Sequence, residues 1–188
     1  YGDHRDLHVR SRRQRQMCIR DSGGTVNLFK NTLRQQGIEV RFADPADPKN
    51  FEKLTDDKTR AYYGESCPNP YLRVFPIKEV SDIGRKKGIP LIIDNTASPV
   101  ICKPLAHGAA IVMHSLTKYI GGHGTSIGGI IVDGGNFDWI KDRKRQPLMN
   151  EPDQSYGGAI WADAVPQLTG ANIPFAIRAR VVLLRDLG

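Results

Sequence analysis

The sequence has 188 residues, 39% hydrophobic and 25% charged, the usage of an ordinary globular chain with enough apolar content for one core, which excludes collagen-like repeats and wholesale disorder. Apolar runs such as 89–93 and 130–132 are far shorter than a bilayer span. Net charge is +7, but residues 1–22 hold six Arg against three Asp, so the body is only mildly cationic and suits anionic small ligands better than a nucleic-acid duplex.

Residues 1–22 carry neither helical nor alternating apolar periodicity, and 11–16 place three arginines with no hydrophobic residue. This segment reads as non-native or disordered: the string RSRRQRQMCIRDS resembles sequencing-adapter DNA translated at the edge of an assembled fragment. A nucleic-acid arm is disfavoured because no aromatic residues interleave the charges. No leader pattern for export is visible. Cys18, Cys67 and Cys102 show no CxxC spacing and cannot all pair, which points to a reducing compartment and a cytoplasmic location rather than a disulfide scaffold.

From residue 23 the chain alternates. Leu28, Phe29 and Leu33 predict a helix over 25–36 closed by Gly37. A strand over 38–42 follows, then Asp44-Pro45 and Asp47-Pro48 turns, a short helix over 49–54 and a strand over 59–63. Pro76 opens a helix over 77–87, with Ile77, Val80 and Ile83 on one face and Gly88 at its end. The runs 90–93 and 109–113 are apolar without alternation, the mark of strands buried on both faces. Residues 127–132 continue the series, Gly134-Gly135 turns the chain, and 143–170 show no clear period. A last helix over 174–187 places Ile177, Val181 and Leu184 on one stripe. The rhythm predicts an α/β fold, a mostly parallel sheet covered by helices, and ligands of such sheets bind at the carboxyl ends of the strands.

Three successive strand ends carry polar groups. The first is followed by Glu65-Ser66-Cys67-Pro68-Asn69, the second by Asp94-Asn95-Thr96, and the third by His114-Ser115-Leu116-Thr117-Lys118 and a glycine-rich stretch over 121–129. Singly these are ordinary: an Asp closing a strand usually caps a turn, and a loop lysine is usually solvated. The glycine stretch matches neither phosphate-loop nor dinucleotide templates, the five His form no ligand pattern, and no metal site is expected. Cys67 and Cys102 read as packing residues. Together, however, the set meets the demands of pyridoxal 5'-phosphate, which needs an amine to hold its aldehyde, an anion for its ring nitrogen and donors for its phosphate. Lys118 supplies the amine, Asp94 the anion, Ser115 and Thr117 the hydroxyls, and Asn69 a partner for the ring oxygen.

The run IDNTASPVICKPLAHGAAIVMHSLTKYIGGHGTSIGG resembles the Cys/Met-metabolism, or trans-sulfuration, family of pyridoxal-phosphate enzymes, whose fold is the type I α/β large domain. The resemblance runs over about 23–188 and is densest over 69–139. It implies that Lys118 carries the cofactor covalently, that Asp94 pairs with the ring nitrogen, that Thr96 lies against the ring, that Ser115 and Thr117 bind phosphate, and that Asn69 contacts the ring oxygen. GGHGTSIGG followed by DGGNFDW is most similar to the O-acetylhomoserine sulfhydrylase branch. That branch implies γ-replacement on O-acetylhomoserine by sulfide or a thiol, no nucleic-acid or membrane partner, and a homotetrameric parent. Cystathionine γ-synthase and methionine γ-lyase chemistries are the alternatives. Ser22 stands where relatives carry a ring-stacking tyrosine, and the N-terminal arm and C-terminal domain of the family have no counterpart. Residues 23–188 are therefore expected to be an internal piece of the large domain, inactive by itself.

Overall fold

The computed structural model describes residues 13–17, 23–69 and 72–185, with backbone alone for 13–17 and Gly23. Six strands form one sheet: β1 Arg13–Met17, β2 Ile38–Phe42, β3 Thr59–Glu65, β4 Leu91–Asp94, β5 Ile111–Ser115 and β6 Gly129–Asp133. Their order in space is β2-β1-β3-β4-β5-β6. Every neighbouring pair is parallel except β5 and β6, which are antiparallel.

Side-chain alternation divides the interior between the two sheet faces. Tyr62, Leu91, Ile93 and Val112 join Phe51, Phe75, Ile77, Val80 and Ile89 on one face. On the other face, Tyr63 packs with Phe29 beside Ile92 and Met113, while Ile111 joins Phe137, Trp139, Met149 and Trp161. Burial on both faces explains why these strands read as unbroken apolar runs.

Helices supply the covering layers. The first (α1) runs through Gly23–Asn27, Leu28–Thr32 and Leu33–Gln35, the short α2 is Lys49–Leu54, and α3 is Ile77–Lys86. Ile77, Val80, Ser81 and Gly84 are its buried face, the spacing of an amphipathic helix. It stops where Gly88 takes a left-handed φ of +66°, a conformation costly for other residues. After β6, helix α4 (Pro147–Asn150) is followed by α5 (Trp161–Thr169) and α6 (Pro174–Arg178), which continues through Ala179–Leu184. The Asp133 carboxylate at the end of β6 accepts the Ala176 N–H at 3.2 Å and the Gly135 N–H at 3.1 Å, anchoring α6 to the sheet.

The structure adds to or shifts several expectations. Within the segment read as non-native or disordered, residues 13–17 form β1, which pairs Arg13 with Ile38 on one side and Met17 with Tyr63 on the other. Ladder bonds come from main-chain groups that any non-proline residue supplies, so side-chain periodicity gave no warning of it. Residues 1–12 and 18–22, with Ser22 among them, lie outside the described residues. The strand expected over 127–132 is Gly129–Asp133 instead, and α5 falls inside the stretch that showed no period. Among the described residues no helix is long and apolar enough to cross a membrane.

Candidate active site

The carboxyl ends of β3, β4 and β5 lie side by side, since Glu65 is opposite Asp94 and Asp94 is opposite Met113. Main-chain bonds carry this alignment past the strands: the Ser66 N–H donates to the Asp94 carbonyl and the Asn95 N–H to that of Met113, both at 2.9 Å. Above these ends opens a cleft of about 910 Å³. Asn69, Asp94, Thr96, Ser115, Thr117 and Lys118 all line it, so the six residues picked from the sequence converge on one space.

Asp94 is the last residue of β4, half-buried at the base of the cleft. Its Oδ1 accepts the Thr96 N–H at 2.9 Å, and its Oδ2 accepts the Tyr63 hydroxyl at 3.4 Å. Thr96 is committed in turn, because its Oγ1 accepts the Ser115 N–H at 2.8 Å. A chain of side-chain to main-chain bonds thus ties β4 to β5 beneath the cleft. Burial, reinforced by the neighbouring Asp94 and Glu65 charges, raises the Tyr63 phenol far above its ordinary range, so Tyr63 remains a donor.

Lys118 lies in the helical turn Leu116–Ile120, whose regularity breaks at that residue (φ −94°, ψ −119°). The turn is closed by the Gly121 N–H donating to the Leu116 carbonyl and the Gly122 N–H to that of Lys118, both at 2.8 Å. A Cβ at Gly121 would stand 2.5 Å from the Leu116 oxygen, so glycine is required for this tight closure. The Lys118 side chain is exposed to the cleft rather than packed in the core.

Thr117 lines the cleft, but its hydroxyl is engaged with Gly128, accepting its N–H at 3.0 Å and donating to its carbonyl at 3.4 Å. That contact binds the lysine turn to the approach of β6. Thr25, Leu72 and Tyr119, not singled out from the sequence, also line the space, as do Glu65 and Cys67; Cys67, read from the sequence as a packing residue, is half-buried in the cleft wall. Thr25 follows α1's opening glycines, forty residues before the first of these strand ends, so no local signal places it in the cleft.

The donor set fits the cofactor. An exposed amine and a braced carboxylate open into the same cleft, together with an amide and hydroxyls. Their chemistry matches an aldehyde, a basic ring nitrogen and a phosphate, and the volume admits a molecule of that size. Among the described residues, no three His, Cys, Asp or Glu side chains gather as a metal-ligand group.

An α/β sheet with a lysine and an aspartate at adjacent strand ends defines the class of pyridoxal-phosphate domains with parallel sheets. Residues 17–171 match the family model of the Cys/Met metabolism PLP-dependent enzymes, and the chain belongs to that family. It is 49% identical over 170 residues to the O-acetyl-L-homoserine sulfhydrylase of Leptospira meyeri, a match covering 88% of this chain and 38% of that protein. Identity is 47% to O-acetyl-L-homoserine sulfhydrylase 1 of Thermus thermophilus, with the same coverage of both chains. The fold superposes on a Campylobacter jejuni structure given the name O-acetylhomoserine (thiol)-lyase, with a TM-score of 0.81, 35% identity, and coverage of 93% of this chain and 42% of that one. That structure holds N'-pyridoxyl-lysine-5'-monophosphate at one position. The chain thus spans well under half the length of the relatives it matches.

Proposed function

We propose that this chain is the cofactor-binding part of a PLP-dependent transferase that replaces the γ-acetate of O-acetylhomoserine with sulfide or a thiol. The observation that carries the reading is the opening of Lys118 and Asp94 into one cleft at adjacent strand ends. The sulfhydrylase names of the relatives support the choice of reaction. Pyridoxal 5'-phosphate, when bound, supplies an aldehyde that takes the substrate amine and a ring that accepts electron density from Cα.

The residues divide the remaining work. Lys118 would hold the cofactor and, with its amine free, would take the Cα proton and then a Cβ proton, whose C–H electrons form the Cβ–Cγ double bond as acetate departs, and would return protons to these carbons after sulfur adds at Cγ. Asp94, fixed by the Thr96 N–H, keeps the ring nitrogen protonated through an ion pair. Asn69 would hold the ring oxygen and Thr96 would flank the ring. Ser115 and Thr117 would hold the phosphate, the Thr117 hydroxyl while also bonded to Gly128. Acetate leaves with the electrons of its Cγ–O bond, and the sulfur nucleophile adds at the same carbon. In the whole enzyme, which we take to be a homotetramer, segments beyond this chain complete the substrate site.

Mixing the chain with pyridoxal 5'-phosphate should give a yellow species that Lys118→Ala abolishes, and borohydride should fix the cofactor on the peptide containing Lys118. Label on any other lysine overturns the assignment. Competing sulfide, cysteine and water as acceptors with the full-length gene product separates γ-replacement by sulfide from cystathionine synthesis and from γ-lyase chemistry.

A further inference from the structure

We infer that Tyr63 is a positioning residue for Asp94, its hydroxyl holding Oδ2 so that the carboxylate presents one fixed edge to the cleft; the inference rests on the cofactor reading above. The two oxygens of Asp94 have donors from different elements. Oδ1 takes the Thr96 N–H at 2.9 Å from the turn after β4, and Oδ2 takes the Tyr63 hydroxyl at 3.4 Å from β3. A carboxylate held at both oxygens loses its freedom to rotate about the terminal torsion, which is otherwise broad for an aspartate.

The surroundings explain why a phenol serves here. Asp94 lies on the boundary between the polar cleft and a second, mainly apolar cavity of about 290 Å³ beneath it, lined also by Leu28, Ile92, Met113 and Phe175. Tyr63 stands in the wall of that lower cavity, 8% exposed, with the Phe29 ring packed edge-on at 5.2 Å. On this side the neighbours are apolar, and a carboxylate oxygen turned towards them without a donor would carry a desolvation cost. The phenol supplies that donor. Its titration is displaced well above neutrality by burial and by the Asp94 charge, so the donor persists wherever Asp94 is ionised. A phenylalanine would fill the wall equally and leave Oδ2 unheld.

Tyr63→Phe keeps the ring packing and removes one oxygen. Its test is the affinity of the chain for pyridoxal 5'-phosphate and for the carbocyclic analogue that lacks the ring nitrogen, in wild-type and Asp94→Asn backgrounds. Tyr63→Phe should weaken pyridoxal 5'-phosphate about tenfold, the scale of a hydrogen bond to a charged group. The carbocyclic analogue should be unaffected, and the substitution should add nothing once Asp94 is Asn, because a residue acting through another is non-additive with it. Equal losses for both ligands, additive losses in the double variant, or unchanged affinities overturn the inference while leaving the cofactor reading intact. A wild-type chain that gives no coloured species at Lys118 overturns both. In the cofactor-free chain, the ¹³C ring resonances of Tyr63 should titrate at lower pH in Asp94→Asn than in wild type, and an unmoved titration also counts against the pair.

Discussion

Tyr62 and Tyr63 are consecutive in β3, point to opposite faces of the sheet, and end on different partners. Tyr62 is fully buried and its hydroxyl meets that of Thr55, whereas Tyr63 reaches Asp94. Burial is the first cause raising both phenols above their ordinary value of 10.0; the Thr55 bond opposes the rise at Tyr62, and the Asp94 charge adds to it at Tyr63. For an acid whose folded value lies above its unfolded one, the folded state keeps a proton that the unfolded chain has released. The stability these tyrosines confer is therefore complete below about pH 10 and is lost as pH climbs through the raised folded values. Two such groups give a slope approaching about −2.7 kcal/mol per pH unit above that point. Urea unfolding between neutrality and strong alkali should show this fall, and Tyr62→Phe should remove about half the slope; a wild-type stability indifferent to pH above 10 would contradict the burial argument. Neither tyrosine announced its partner in the sequence, because a tyrosine inside an apolar run reads as core. Asp94 and Lys118 were legible because each follows an apolar strand at the end where ligands bind. The engagement of Thr117 was hidden, since its partner Gly128 stands eleven residues on across the lysine turn.

Legibility followed the pattern of burial among the elements. β4 and β5 were readable as apolar runs because both their faces are covered, and α3 because its buried residues recur at helical spacing on a single face. α5 was obscured by Pro166 in its interior and by its short buried set of Trp161, Ala162 and Val165. Ile127 suggested that β6 began earlier, yet it is 97% exposed, and pairing starts at Gly129. One glycine carries a packing constraint that a propensity scale would misjudge. Gly84, in α3, lies where a Cβ would come within 2.5 Å of the Ile89 main-chain oxygen and 3.2 Å of the Tyr62 ring. Alanine there gains about 1 kcal/mol of helix propensity, but it forces the helix from the sheet or displaces the turn into β4, an overpacking cost of about 1–3 kcal/mol. The Ile89 N–H also donates to the Gly84 carbonyl at 2.9 Å, so the displaced segment cannot move without straining its own bond. Gly84→Ala should lower the urea midpoint with little change in slope; a higher midpoint would mean that the turn yields freely.

At the scale of the whole molecule, the sheet is closed unevenly. Its β2 and β6 edges stand at opposite ends of the strand order, and among the described residues β6 pairs with β5 alone. Three consecutive β6 residues, Ile130, Ile131 and Val132, are 44%, 53% and 36% exposed. They lie next to the lysine turn that Thr117 ties to Gly128, so the outer border of the candidate site is also a poorly covered part of the sheet. An edge strand with open main-chain groups and apolar side chains is a template for another strand. No charged residue interrupts β6 before Asp133, which leaves it without the inward charge or lysine that usually blunts such an edge. The chain by itself should therefore associate with rising concentration, seen by sedimentation velocity as a shift to faster species. Ile130→Lys puts a charge on the exposed strand, opposite His114 in the β5 register, without entering the cavity beneath Asp94. That variant should remain monomeric at concentrations where the wild-type chain associates, and it should keep the same circular dichroism spectrum. If wild type and Ile130→Lys associate alike, the contact lies elsewhere and the openness of β6 does not govern how the chain meets its own kind.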